Sequence, residues 1–321
     1  MNKLTLIVAF ISLVCYQFIQ AQQLVYRDIL YGGVTGNGAT RGVGLGSINL
    51  SVQIPSNSSI RKAYLLAARD SATGVNTTVI LNGINYTFSD SSVITKGFTS
   101  IINGSLTYTN SSIHAIDITK DIDSSIASYN LFIPPPTTQF GFYYTFYLYI
   151  VFENNTFPLI NCNLFFNNQD VSSLTNYNLS NLSPIKNLKP VCLTLITGHI
   201  CDTLQDGSYV NVNNNNIGLI GGNDMNSSIV TCASVYSNFA HYNDSLFGLD
   251  DDTPDSLMGG TDALADIKSY VNNGDTAVNV TFTYQSNTWP LTNPIRAVML
   301  SYSTPCDTFS TTAIANTDTI C

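Results

Sequence analysis

Residues 140–152 read F-G-F-Y-Y-T-F-Y-L-Y-I-V-F, a run in which nearly every residue is aromatic or aliphatic. Such residues suit a pleated, half-buried strand. The run is too short for a membrane-spanning helix, which needs about 20 apolar residues. Three prolines at positions 134–136 argue against the alternative of a buried helix. We therefore predict a long central strand of a β-sandwich, with Phe146, Leu148 and Ile150 on one face and Tyr147 and Tyr149 on the other.

The composition limits the classes of protein to which the chain can belong. Its 321 residues are enough for two domains. Only 10% are charged and the net charge is −9, which excludes a basic nucleic-acid-binding surface and gives no reason to expect attraction to anionic lipids. A hydrophobic content of 44% rules out wholesale disorder. Low charge with abundant Asn, Ser, Thr and Tyr is typical of extracellular β-proteins.

The N-terminus has the pattern of a signal peptide. Lys3 supplies a positive charge, residues 4–15 are apolar, and Ile19-Gln20-Ala21 forms a cleavage site before Gln22. We expect residues 1–21 to be removed on export, which leaves a mature chain without a membrane span at the cell surface or outside the cell. The alternative is an N-terminal membrane anchor.

Six cysteines remain once the signal peptide and its Cys15 are removed, all in the C-terminal half. An even number of cysteines in an exported protein predicts disulfides. The pairing is open, and only Cys306–Cys321 is a local guess. A zinc site is a weak alternative because no C-x-x-C motif occurs. The predicted disulfide cysteines are Cys162, Cys192, Cys201, Cys232, Cys306 and Cys321.

Local patterns predict short strands, tight turns and two short helices. Glycines at positions 32–46 are expected in loops and bulges, and Asn82-Gly83 is the pair favoured in two-residue hairpins. Ile118, Ile122 and Ile126 form one stripe of a helix, and residues 261–274 have the signals of a second helix.

The order of strands, short helix, strand and long final strand occurs twice. It predicts an all-β protein of two tandem jelly-roll-like β-sandwich domains, each with one short helix. The alternative is one large sandwich. The predicted division is a signal peptide at 1–21, domains at 22–157 and 158–306, and a tail at 307–321.

Several short motifs resemble a family of secreted bacterial surface proteins, of the Bacteroidota type, that contain a DUF3344-like domain. They are A-Y-L-L (63–66), V-I-L-N-G (79–83), A-I-D-I-T (115–119), Y-L-Y-I-V-F-E (147–153) and F-G-L-D (247–250). The resemblance implies an extracellular sandwich protein of the adhesin type.

The acidic loop D-D-D-T-P-D at 250–255 is the most reactive-looking part of the sequence. Neighbouring carboxylates repel one another unless a hard cation such as Ca²⁺ lies between them. The alternative is a solvated acidic loop, with Asp262 serving only the N-terminus of the following helix. The candidate structural Ca²⁺ ligands are Asp250, Asp252, Asp255 and Asp262.

Catalytic motifs find little support. The three histidines, His114, His199 and His241, are far apart, and neither H-E-x-x-H nor G-x-S-x-G occurs. Two carboxylates could still meet in space, as they do in glycoside hydrolases. We expect a non-enzymatic protein.

The sequence is rich in N-x-S/T sequons, each a possible glycosylation site in a secreted protein. Their asparagines are Asn49, Asn57, Asn76, Asn85, Asn103, Asn110, Asn154, Asn178, Asn181, Asn226, Asn243 and Asn279.

The low charge leaves few residues that would protect sheet edges from pairing with other chains. Residues 22–31 or the tail after Cys306 could add a strand to a neighbour, and head-to-tail contacts that do not close make a filament. The alternative is that residues 24–30 pair within their own domain. The leading hypothesis is a secreted structural or adhesive protein whose partner is itself. The second is a calcium-dependent carbohydrate-binding module whose partners are surface glycans.

Overall fold

The structure is a computed structural model, and it describes residues 22–40, 46–70, 76–89, 94–102, 106–134, 142–167, 174–187, 191–197, 209–219, 266–283 and 295–304. Within these ranges the chain forms β-strands and two one-turn 3₁₀ helices, Thr119–Asp121 and Lys268–Tyr270. The strands are β1 (Gln22–Thr40), β2 (Gly46–Ser51), β3 (Ser59–Asp70), β4 (Thr77–Leu81), β5 (Ile84–Phe88), β6 (Ile94–Ile102), β7 (Leu106–Asp117), β8 (Ser128–Ile133), β9 (Phe142–Glu153), β10 (Leu159–Asn167), β11 (Leu174–Leu179), β12 (Val191–Thr197), β13 (Tyr209–Val212), β14 (Asn215–Leu219), β15 (Val278–Thr283) and β16 (Ile295–Ser303). The all-β class predicted from the sequence is confirmed.

The described strands form three antiparallel sheets. The central sheet has eight strands in the order β12-β16-β10-β1-β9-β3-β7-β6. The first outer sheet has the order β2-β8-β4-β5, and the second outer sheet has the order β11-β15-β13-β14. The two outer sheets therefore have matching strand orders in the two halves of the chain.

Strand β9 lies between β1 and β3 in the central sheet, as residues 140–152 predict. The side chains of residues 146–152 are buried, and they lie on both faces of the strand. Phe146 and Leu148 pack with the first outer sheet, whereas Tyr147 and Tyr149 pack in a different cluster on the opposite side. The predicted alternation of faces is confirmed, because successive side chains of a strand point in opposite directions.

Strand β1 joins the two halves of the chain. Residues 22–31 pair with β10, and residues 32–40 of the same strand pair with β9. The partner changes at Gly32, where a Cβ atom would lie 2.0 Å from the carbonyl oxygen of Phe152. Only glycine allows the two backbones to come this close. The expectation that Gly32, Gly33, Gly36 and Gly38 lie in loops and bulges is wrong, because all four lie within β1 and pair with β9 without a shift of register.

Three apolar clusters hold the sheets together. The β9 side and the β10 side of the central sheet pack against each other, so the three sheets form four layers. The first cluster lies between the first outer sheet and the β9 side of the central sheet, and includes Leu50, Leu131 and Phe146. The second lies between the second outer sheet and the β10 side, and includes Val280 and Leu300. The middle cluster joins the β9 and β10 sides to each other. It contains Leu66, Tyr149, Leu164 and Met299.

Two backbone hydrogen bonds of the first half have counterparts in the second half. In each case one of the two bonded residues lies 149 positions further along the chain. The amide of Ile118 donates to Ala63 O at 3.0 Å, and the amide of Ile267 donates to Val191 O at 2.8 Å. In the same way Val52 donates to the carbonyl at 127, and Leu182 donates to the carbonyl at 276. The two halves thus share atomic contacts as well as strand order.

The two predicted helices are not present in the described residues. Instead, each half has a single 3₁₀ turn in the corresponding place, and residue 122 after the first turn is already extended. The isoleucines at 118, 122 and 126 all pack against the apolar cluster between the first outer sheet and the β9 side of the central sheet, which explains their spacing. Residues 261–265 lie outside the described ranges.

The predicted division between residues 157 and 158 falls in the connection between β9 and β10, and β1 has partners on both sides of it. Within the described ranges, no helix has the length and apolar character needed to cross a membrane.

Candidate functional site

Two of the six predicted disulfide cysteines lie in the described part of the chain, and both are buried thiols. Cys162 is in the middle cluster, where its Sγ donates to the carbonyl oxygen of Asp28 at 3.6 Å. Burial raises the pKa of the Cys162 thiol. The apolar interior encloses both side chains, and the disulfide assignment of the six cysteines stays a prediction. Cys201, Cys232, Cys306 and Cys321 lie outside the described residues.

Cys192 lies beside a small cavity of about 10 Å³ that is also lined by Val34, Tyr149 and Met299. Burial raises the pKa of the Cys192 thiol to about 12, against the lowering effect of a hydrogen bond with Ser301. The cavity has room for no more than one water molecule. A thiol that stays protonated beside so small a space is neither a nucleophile nor part of a ligand pocket.

Charged side chains gather where β1 and β3 approach each other. The carboxylate of Asp28 accepts hydrogen bonds from Tyr26 Oη at 3.1 Å and from Arg61 Nε at 2.7 Å. The hydrogen bond to Asp28 raises the pKa of the Arg61 guanidinium, and burial raises the pKa of Tyr26. The Tyr26 ring meets the Tyr64 ring edge-on, with centroids 6.0 Å apart.

A second ion pair lies next to the first. Lys62 Nζ donates to Asp117 Oδ2 at 2.5 Å and lies 5.1 Å from the centroid of the Tyr64 ring. Thr119 donates to Asp117 through its amide at 3.0 Å and its hydroxyl at 2.6 Å. Desolvation pushes the pKa of Asp117 upward, but the hydrogen bonds from Lys62 and Thr119 hold it below its usual value.

We call Tyr26, Asp28, Arg61, Lys62 and Asp117 the charged seam. Both of its carboxylates are paired with a cation, and burial raises the pKa of Tyr26 and of the adjacent Tyr64. A general base needs a pKa near the working pH and a free lone pair directed at a substrate. The charged seam therefore fastens β1 to β3 through Asp28 and Arg61, and β3 to β7 through Lys62 and Asp117.

A buried amide network lies on the face of β10 opposite to Cys162 and Leu164. Asn163 accepts from Arg27 Nε at 2.7 Å and donates to Asn161 Oδ1 at 2.9 Å, and Asn161 donates to Ser183 Oγ at 2.9 Å. Arg27 also donates to the carbonyl oxygen of Asn181 at 2.8 Å. Each amide is satisfied by a neighbour, which is what burial of a polar side chain requires. No local sequence pattern indicates this network, because its partners are remote along the chain.

The predicted calcium ligands Asp250, Asp252, Asp255 and Asp262 lie outside the described residues, so the calcium site stays a prediction. Across the residues that the structure describes, no three His, Cys, Asp or Glu side chains come together as metal ligands. His114 is fully buried in β7, and His199 and His241 lie outside the described ranges.

The structure separates the sequons by exposure. Asn154 is only 7% exposed, and Asn279 is partly buried. The side chains of Asn103, Asn110, Asn226 and Asn243 are not among those described. The exposed sequon asparagines are Asn49, Asn57, Asn76, Asn85, Asn178 and Asn181.

The outer sheets carry no charged residues in their described strands. The four strands of the first outer sheet, β2, β4, β5 and β8, contain no Asp, Glu, Lys or Arg, and the four strands of the second outer sheet also contain none. The exposed side chains of the first outer sheet are chiefly Asn, Ser and Thr, together with Ile84 and Phe132. Among the described residues of the first half, the charged side chains lie outside the strands of this neutral sheet, for example in the charged seam and the 3₁₀ turn.

No protein-family model matches the chain, and no curated protein matches it. The DUF3344-like resemblance therefore stays a prediction. Among solved structures, PNGF-II in a C2 space group is similar with a TM-score of 0.27 and 10% identity, over 84% of this chain and 62% of that chain. The chain thus spans less than two thirds of that neighbour's length. The STIV MCP is similar with a TM-score of 0.20 and 10% identity, over 85% of this chain and 98% of that chain. TM-scores this low assign neither a fold family nor a function.

Proposed function

We propose that this chain is a secreted, non-enzymatic structural or adhesive protein of the cell surface, built from two jelly-roll-like sandwiches, whose copies assemble by strand addition. The observation that carries the proposal is the lack of charge on the edges of the outer sheets. Their edge strands among the described residues are β2 and β5 in the first and β11 and β14 in the second. None of the four contains a charged residue.

An edge strand presents backbone donors and acceptors to any other strand that reaches it. Monomeric β-proteins block such contacts with edge charges, especially lysine, with proline or with bulges. An uncharged edge is instead suited to adding a strand from a second copy. Residues 22–31 are less suited to donation, because they pair with β10 of the same chain from Gln22↔Asn167 to Tyr31↔Leu159. We therefore assign assembly to the outer-sheet edges.

The paired halves support a structural role. Strand β1 belongs to both, and the middle cluster joins their facing layers. A subunit of a surface layer or fibre must pass load from one end to the other, and a shared strand does so through continuous backbone hydrogen bonding. The neutralised carboxylates of the charged seam support a non-enzymatic role.

The test places a positive charge on each edge of the first outer sheet. We expect the purified mature protein to form oligomers that grow with concentration in sedimentation velocity, and the double variant Ser47→Lys/Ile84→Lys to shift this distribution toward monomer. Both side chains are exposed on edge strands. Ser56→Lys is the matched control, because Ser56 is exposed in the turn between β2 and β3. Equal assembly of all three proteins would refute edge pairing.

A further inference from the structure

We propose that the exported protein carries N-linked sugars on the first outer sheet, at Asn49, Asn76 and Asn85, and at the adjacent turn residue Asn57, and that Asn154 carries none. The inference rests on the proposed function, because this modification requires export. In each of the four sequons both the asparagine and the hydroxyl residue two positions later are exposed.

The strand geometry presents complete sequons to solvent. Residues i and i+2 of a strand lie on the same face. Asn49 and Ser51 of β2 therefore lie together on the outer face, as do Asn85 and Thr87 of β5. The hydroxyls of two sequons meet where Thr78 Oγ1 and Thr87 Oγ1 lie 2.8 Å apart. The face thus displays several acceptor sites side by side.

A second, independent observation is the lack of charge on the same face. The first outer sheet exposes the large apolar side chains of Ile84 and Phe132. Exposed apolar side chains on a neutral surface favour association between such surfaces. Sugars are bulky and solubilising, and they supply the protection that charged side chains provide elsewhere. Side chains stand perpendicular to a sheet, whereas strand addition occurs within its plane. Sugars on this face would therefore oppose face-to-face stacking and leave edge pairing possible.

Asn154 matches the sequon pattern but is committed to the fold. Its Nδ2 donates to the carbonyl oxygen of Ser56 at 3.3 Å and to Ser58 Oγ at 3.0 Å. Its Oδ1 accepts from the amide of Thr156 at 3.0 Å and from the hydroxyl of Thr156 at 2.7 Å. The nitrogen that would carry the sugar is thus buried and used as a donor, so a chain modified there could not reach this fold.

The transfer needs a lipid-pyrophosphate-linked oligosaccharide and the membrane-bound transferase of a secretory pathway. The asparagine Nδ2 forms a bond to the anomeric carbon of the sugar, the bond from that carbon to the pyrophosphate oxygen breaks, and the lipid pyrophosphate leaves. The asparagine amide loses one proton, and no oxidant or reductant takes part.

The test is a glycopeptide map of the full-length chain expressed in eukaryotic secretory cells, taken from both the medium and the cell lysate. Peptide N-glycosidase in heavy-oxygen water converts each sugar-bearing asparagine to labelled aspartate. We expect label at Asn49, Asn57, Asn76 and Asn85 and none at Asn154 in the native, secreted fraction. Absence of label at Asn49 and Asn85 in both fractions would overturn the proposal, and so would a labelled Asn154 in secreted protein.

Two variants separate this result from the fate of the proposed function. Asn85→Gln should lose one sugar and keep its yield and unfolding midpoint, whereas Asn154→Gln should lower both without changing the sugar count. An unmodified chain that is secreted and assembles would refute the sugars alone. A chain that carries the sugars but stays monomeric at all concentrations would refute edge assembly alone.

Discussion

Asn82 and Asn213 occupy the same position in the two halves of the protein. Asn82 Oδ1 accepts from the amide of Asn130 at 2.7 Å, and Asn213 Oδ1 accepts from the amide of Asn279 at 2.9 Å. Both asparagines have left-handed backbones, with φ of 46° and 47°. Each thus closes a hairpin of an outer sheet and holds that hairpin to the neighbouring strand. This repetition of a long-range contact is strong evidence that the halves share one architecture.

Replacement of either residue should have the same effect. Asn82→Ala and Asn213→Ala each lose a side-chain acceptor and place a Cβ-bearing residue without a polar group in a left-handed conformation, which together cost about 1–2 kcal/mol of unfolding free energy. Asn→Asp at each site keeps the acceptor and should lose less. Asn85→Ala, on an exposed position of the same hairpin, should change stability by less than about 0.5 kcal/mol. Urea denaturation measures all five variants. A large loss in one half with no loss in the other would contradict the equivalence.

The close approach of β1 and β9 predicts a severe effect at Gly32. The Cβ of Gly32→Ala would lie 2.0 Å from the Phe152 carbonyl oxygen, so one backbone must move. Overpacking of this kind typically costs about 1–3 kcal/mol. Gly83→Asn is the control, because a Cβ at Gly83 meets nothing within 4 Å and asparagine tolerates its φ of 84°. If thermal melts place Gly32→Ala at the wild-type midpoint, the assigned crossing of β1 is incorrect.

The pair of Lys62 and Asp117 predicts a dependence of stability on acid. The pKa of Asp117 is lower in the folded state than its ordinary value of 3.8, so folding favours the ionised carboxylate. The ionised carboxylate of Asp117 therefore stabilises the folded state at any pH above its ordinary pKa. This stabilisation is lost as the pH falls through the lowered pKa of the folded state. Near neutral pH the free energy of unfolding of the wild type should exceed that of Asp117→Asn by less than about 1 kcal/mol, since the pair is largely exposed. In strong acid the two free energies should be equal.

The control for this pair is Asp117→Asn in a Lys62→Met background. Because the cation is then absent, the same substitution should change the pH profile less. Urea midpoints measured between acid and neutral pH supply the comparison. Equal pH profiles for wild type and Asp117→Asn would show that the ion pair does not contribute.

The state of Cys162 is open to a chemical test. Because its thiol is buried and its pKa is raised, Cys162 should resist iodoacetamide in the native protein at neutral pH. It should react fully after unfolding in guanidinium without a reductant. By contrast, Cys306 and Cys321, a predicted disulfide, should react only after reduction. Peptide mapping reads all three, and a Cys162 that is labelled only after reduction would show that it forms a disulfide.

Local chemistry predicted those features that local chemistry determines. The composition of residues 140–152 predicted the strand β9, and Asn82-Gly83 predicted the hairpin between β4 and β5. The helix predicted from the isoleucines at 118 and 122 is wrong. Residues around a 3₁₀ turn reach the same core at a helix-like spacing. The sequence could reveal neither the change of partner at Gly32 nor the seam between Asp28 and Arg61. Both depend on which strands meet in space.

The sites divide in the same way. A sequon is read directly from three residues, but burial separates Asn154 from Asn85, and burial depends on the whole fold. Cysteine parity predicted a disulfide at Cys162 since counting treats every cysteine alike. The structure adds that this side chain lies in the middle cluster, against the backbone of β1, and the pairing itself stays a prediction.

Electron microscopy of the purified mature protein over a concentration series tests the proposed assembly most directly. If uncharged edges of the outer sheets join copies of the chain, ordered fibres or growing oligomers should appear without added ligand or metal. Ser47→Lys/Ile84→Lys should reduce their length and number. Single particles of one subunit at every concentration, for wild type and variant alike, would contradict the account.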